Sequence, residues 1–211
     1  MQYTDERLGT ERVGRLVFRM SLPAIAAQCI NMLYNLVDRV YIGHMGETGT
    51  AALTGLGLAA PILTLLSAFS AFVGTGGAPL AAMALGKGDR ERAEKILSNG
   101  VTLLCLFALV GGLCAYFFRK PLLYFVGASD ATYPYADAYL SVYLIGSLAV
   151  MLATGLNTSL TAQGRSGTAM LSVVIGALLN IALDPLFIFA FRLGVRGAAI
   201  ATVISQCVSA A

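Results

Sequence analysis

The chain has 211 residues, 57% of them hydrophobic and 12% charged, and its mean hydropathy is +0.77. Soluble domains carry about 45–50% apolar and about 25% charged residues, and disordered chains have the opposite bias, so the composition excludes both and points to an integral membrane protein. A net charge of +3, with no basic stripe interleaved with aromatics, excludes a nucleic-acid-binding module.

The opening residues mix acids and bases and are followed by an apolar stretch too long for a signal peptide. They are read as a cytoplasmic N-terminal segment, residues 1–15. From residue 16 the chain divides into six apolar runs, each compared with the roughly 20 residues that a spanning helix needs. The first covers 16–43. The second, 51–85, is long enough to be tilted or to end in a loop around Gly74, Gly76, Gly77 and Pro79. The third covers 96–118, the fourth 135–162 and the fifth 170–191. The sixth, 197–211, reaches only about 22 Å as a helix and is read as a truncated span. The expected fold class is all-α, a polytopic membrane helix bundle of six transmembrane helices.

Lys and Arg in the short loops set the orientation. One side has Arg7, Arg12, Arg15, Arg19, Lys87, Arg90, Arg92, Lys95 and Arg165; the other has Arg119, Lys120, Arg192 and Arg196. Nine against four places the N-terminus in the cytoplasm, with the protein in the plasma (cytoplasmic) membrane.

Ionisable groups inside spans cost about 2.5–3.5 kcal/mol each on insertion scales and mark functional sites by default. Asp38, late in the first run, and Asp184, in the fifth, stand at similar depth in the outer half of the membrane. Neither has a basic partner facing it on its own helix, since the adjacent Arg39 points about 100° away from Asp38. Gln28, Asn31, Asn35 and Asp38 are spaced by three, four and three residues, which aligns them on one helical stripe. Asn180 lies one turn before Asp184. Thr202, Ser205 and Ser209 recur at similar spacing in the sixth run. Three helices can thus turn oxygen-rich faces to one cavity, a donor set suited to Na⁺ or to a proton held on a carboxylate. The competing reading is that these groups only bind helices together. Asp137 is read as interfacial and His44 as a loop residue. Pro23, Pro61 and Pro185 fall inside runs, where proline kinks a helix; Pro23 stands where a bend would swing the outer half of the first helix. The four cysteines, with no C-x-x-C and no histidine nearby, are read as packing residues. No phosphate-binding loop, H-E-x-x-H or G-x-S-x-G occurs. No enzyme is expected, and transport, if any, would be driven by an ion gradient.

Taken in order, YNLVDRVYIG, APLAAMALGKGDRERAEK, LNTSLTAQGRSGTAM, NIALDPLFIF and LGVRGAAIATVISQ resemble a multidrug and toxic compound extrusion (MATE) transporter. The resemblance implies twelve helices in two six-helix lobes, with residues 16–211 as the N-terminal lobe and the C-terminal lobe missing. It implies antiport of organic, often cationic compounds against Na⁺ or H⁺, with small organic substrates and the bilayer as partners and no resident cofactor. Matched by motif, the cation site falls on Asp38, Asn180, Asp184 and Thr202, with Na⁺ held at Asp38, Asn180 and Asp184. The bending proline is Pro23, and Tyr139 and Asn157 join Gln28, Asn31 and Asn35 around the substrate cavity. Thr161 stands where the family usually has Arg. Two rivals are a lipid-linked sugar flippase of the same superfamily, which would need several Arg and Lys in the cavity, and a non-transporting half-molecule that pairs with another lobe.

Overall fold

A computed structural model describes residues 13–211, without the side chains of residues 15, 16, 19 and 20, and all regular structure among the described residues is helical. The expected cytoplasmic segment 1–15 lies almost wholly outside them. In chain order the helices are α1 (Val13–Gly43), α2 (Gly49–Gly86), α3 (Arg90–Phe117), α4 (Arg119–Phe125), α5 (Tyr133–Ile145), α6 (Ser147–Ala162), α7 (Ser166–Pro185) and α8 (Val195–Ala210), with a 3₁₀ turn at Gly46–Thr48 and a π-helical turn at Leu186–Ala190. Three of them, α2, α3 and α7 with its π turn, are long and apolar enough to cross a membrane alone. The polar stripe of α1 interrupts its apolar character, and α8 has 16 residues.

The second run takes the long-helix alternative and not the loop, and the fourth departs from the expectation. The second is one unbroken helix of 38 residues that continues through Pro61, Pro79 and the glycines, with no loop. Packing against α3, α5 and α6 along its length keeps the proline-weakened backbone helical, as neighbouring helices do in membrane bundles. The fourth run is broken: α5 and α6 meet at Gly146 with a bend of 63°. A Cβ on Gly146 would collide with the Val203 side chain of α8, so α8 packs directly against the break. The short α4 was not expected at all.

Alanines make up much of the interior, beside a few large side chains such as Ile42, Leu123 and Leu140, and many large apolar residues lie on the perimeter. Ala52, Ala59, Ala136, Ala198 and Ala199 are fully buried, whereas Phe72, Leu109, Phe117, Ile145 and Leu178 are exposed. Lipid tails solvate leucine as well as a core does, so close packing of small residues, not apolar burial, holds such a bundle. Helix α1 lies mainly along α7, while α8 packs among α5, α6 and α7. The α2–α3 hairpin turns at Gly88, φ +78°, and Asp89 caps α3 by accepting from the Arg92 backbone N–H at 3.0 Å.

Asp137 is more than interfacial. Arg119 Nε donates to its Oδ1 at 2.6 Å and Nη1 donates to the Tyr116 carbonyl at 2.9 Å. The guanidinium also sits 4.3 Å from the Tyr116 ring centroid, so α3, α4 and α5 are tied together. The hydrogen bond to Asp137 holds the Arg119 pKa above its usual value. Both partners are about a quarter exposed, with side-chain accessibilities of 28% and 22%, and solvent screens the pair. Arg119→Ala is expected to lower stability by about 1 kcal/mol, with Asp137→Asn similar and the double variant no worse than the larger single loss; thermal unfolding in detergent checks this. His44 is exposed, and its Nδ1 lies 2.7 Å from the Val40 carbonyl at the end of α1.

Candidate cation site

The stripe on α1 faces a cavity of about 860 Å³ between α1, α2, α5–α6, α7 and α8. Gln28, Asn31, Asn35 and Asp38 all line it, together with Tyr139, Asn157, Asn180 and Thr202. Asp184 does not reach the wall; it is fully buried, one turn along α7 from Asn180. Pro23 is not on the wall either, and α1 runs helical through it.

At the α1–α7–α8 corner, Asp38, Asn180, Asp184, Thr202 and Ser205 are all buried. Asn180 sits between the helices: its Nδ2 donates to Asp184 Oδ1 and to Thr202 Oγ1, both at a long 3.4 Å. Asp38 lines the same cavity as Asn180 and Thr202. Four oxygens here have no hydrogen-bond partner among the described residues: Asp38 Oδ1, Asn180 Oδ1, Asp184 Oδ2 and Ser205 Oγ. A buried polar atom left unpaired costs about 1–3 kcal/mol, so four in one corner make a place that favours a cation. Carboxylate, amide and hydroxyl oxygens are hard donors and suit a hard cation or a proton, not a thiophilic metal.

Local backbone geometry builds the corner. Pro185 cannot donate to the turn before it, and the chain after it widens into the π turn, where the Phe191 N–H reaches the Leu186 carbonyl at 2.9 Å. Helix α8 leans on this turn through Gly197; a Cβ there would stand 2.6 Å from the Phe187 carbonyl carbon. Thr202 and Ser205, five and eight residues later, are thereby set against Asn180 and Asp184.

Not every polar group on the wall is available. Asn35 Nδ2 is engaged with the Asn31 carbonyl at 2.7 Å. Asn157 donates to the Ala153 carbonyl and accepts from Ser172 Oγ, each at 3.0 Å, and Ser209 Oγ donates to the Ser172 carbonyl at 3.1 Å. That chain binds α6, α7 and α8 together. Thr161, on the wall near it, donates to the Asn157 carbonyl at 2.9 Å. Tyr139 is buried, stacked on Tyr143 at 6.0 Å, and lines the same cavity as Asp38 and Thr202. Sequence reasoning placed Ser205 on the right face without selecting it; its spacing of three from Thr202 was the available signal. Ser70 was missed. It is buried, within 2.6 Å of Thr154 Oγ1 and donating to the Met151 carbonyl, and joins α2 to α6.

The MatE family profile matches residues 23–186. Among relatives, the chain is 30% identical over 204 residues to a FAD transporter of Shewanella oneidensis, covering 93% of this chain and 44% of that protein. It is 28% identical to the probable multidrug resistance protein YpnP of Bacillus subtilis, covering 88% and 41%. Among solved structures, a MOP superfamily transporter from Pyrococcus furiosus superposes with a TM-score of 0.90 at 28% identity, over all of this chain and 46% of that one. A MATE crystal structure in the bent conformation gives 0.89 at 27% identity, over 99% and 46%. The chain thus spans about half the length of the proteins it matches, as one lobe of a two-lobe transporter does. With a profile match running from Pro23 in α1 to the start of the π turn, and with its whole helical bundle superposing on those transporters, the chain belongs to the MatE family.

Proposed function

We propose that this chain is the ion-coupling lobe of a secondary exporter that moves small organic compounds against Na⁺ or H⁺. The observation that carries the reading is the corner of four unpartnered buried oxygens opening on an 860 Å³ cavity. A cation bound there would offset negative charge on Asp38 and Asp184, with Asn180 holding the Asp184 carboxylate and Thr202 positioning Asn180. Asp38, on the wall, would feel substrate directly. Asp184, behind it, would feel substrate only through Asn180 and Asp38. A cation and a positively charged substrate then compete for the same negative charge, and each lowers the affinity of the other by the same factor. Alternating access would come from rocking one lobe against the other around the shared cavity. In this reading the N-terminus is cytoplasmic and the protein stands in the cytoplasmic membrane.

The relatives named for multidrug resistance suggest cationic drugs as substrates. The relative named a FAD transporter makes organic anions the second class. A lipid-linked sugar flippase fits less well, because Arg39 is the one cationic side chain among the described wall residues and a pyrophosphate needs several.

The test is export of a fluorescent organic cation from liposomes holding the two-lobe protein. An imposed Na⁺ or proton gradient is expected to drive export, and collapsing it with an ionophore to stop it. Export driven equally well with no ion gradient would refute the reading. Pro23→Ala is expected to slow turnover with cation binding unchanged, if α1 bends at this proline; equal rates would make Pro23 a static feature.

A further inference from the structure

The cavity wall contains two charged side chains among the described residues, Asp38 and Arg39, and they are presented differently. Asp38 is 6% exposed, one oxygen unpartnered, and belongs to the cation corner. Arg39 is exposed and lines the same cavity. Around them the polar lining is neutral: Gln28, Asn31, Tyr34, Thr64 and Ser67 supply amides and hydroxyls. A solute in the cavity therefore meets Arg39 as an open cationic side chain, while Asp38 is largely withdrawn. From this we infer that Arg39 is an anion subsite, which receives a carboxylate or phosphate group of the transported compound.

The chemistry fits the residue type. A guanidinium is always charged, is more weakly hydrated than an ammonium and presents a planar fork that matches both anions two bonds at a time. One helical step separates Arg39 from Asp38, so their side chains diverge and the anion subsite is distinct from the cation corner although both open on one cavity. The lobe would accordingly accept zwitterionic or anionic organic solutes, and Arg39 would set the preference between them and simple cations. The competing role, a guanidinium reaching out to lipid headgroups, predicts changes in insertion but none in solute preference.

The inference rests on the exporter reading, and the experiment separates the two. The two-lobe protein in liposomes is given carboxyfluorescein as the anionic probe and ethidium as the cationic one, and apparent affinity and gradient-driven export are measured for both. Arg39→Gln is expected to weaken carboxyfluorescein about tenfold, the worth of a charged hydrogen-bonded pair, while ethidium is held or gains. Arg39→Lys, which keeps the charge and loses the fork, should fall between. Unchanged preference between the two probes in Arg39→Gln, or a parallel loss of both that follows reduced membrane insertion, would overturn the anion subsite. The parent is run alongside with and without an ion gradient: export of either probe that is equally fast with no gradient would overturn the exporter reading itself, whatever Arg39→Gln does.

Discussion

Replacing either acid by its amide, Asp38→Asn or Asp184→Asn, is expected to abolish gradient-driven export while the protein stays folded and inserted. The amide keeps the shape and the Asn180 contact but cannot carry the charge that recruits a cation. Stability should not fall, because removing an unpaired buried charge relieves desolvation rather than adding to it. The midpoint of thermal unfolding in detergent should therefore stay or rise in both variants. That combination, no transport with undiminished stability, distinguishes an ion site from polar groups that merely bind helices. Normal export in both variants would leave the carboxylates a structural role only.

The second large effect is expected at Gly197. A Cβ at this position would lie 2.6 Å from the Phe187 carbonyl carbon and 2.7 Å from its oxygen, and both are backbone atoms that cannot swing aside. Gly197→Val must push α8 off the π turn, and Thr202 and Ser205 move with it. Overpacking of this kind costs about 1–3 kcal/mol, and more where backbone resists. Expected are a clear fall in the thermal midpoint and loss of export, with Gly197→Ala intermediate in both. The cation corner should weaken with it although no oxygen donor has been altered. A Gly197→Val protein as stable and active as the parent would mean that α8 does not rest on the π turn.

The parts of this molecule that the sequence made legible are those that violate membrane chemistry. Asp38 and Asp184 stand out because a carboxylate in an apolar run is costly, and the 3-4-3 spacing of Gln28, Asn31, Asn35 and Asp38 already aligned them on one face. The structure puts that face on a cavity wall and draws Asn180 and Thr202 to the same corner. It also removes Asp184 from the wall, which spacing along one helix could not reveal. The break at Gly146 was hidden because α5 and α6 are both apolar and read as one run; the side chain packed against that glycine, Val203, is 57 residues away in sequence. The π turn was hidden in the same way, since Pro185 announces a disturbed helix but not which one. Helix α4 is too short to show a period. In the opposite sense, Pro79 and the glycines of α2 signalled a loop, and packing along the helix overrode them. Asn157, which the resemblance gives to a substrate cavity, lies on the wall of the 860 Å³ cavity, and its amide is engaged in joining α6 and α7.

The central claim is that the Asp38–Asn180–Asp184–Thr202 corner holds the coupling cation. The measurement that meets it most directly is cation binding to the purified two-lobe protein, without transport: calorimetric titration with Na⁺, and proton release on adding Na⁺ or a cationic substrate. Saturable Na⁺ binding or stoichiometric proton release is expected in the parent and in Arg39→Gln, and neither in the Asp38→Asn/Asp184→Asn double variant. Binding and proton release that are identical in the parent and the double variant would contradict the assignment and place the coupling site elsewhere in the protein.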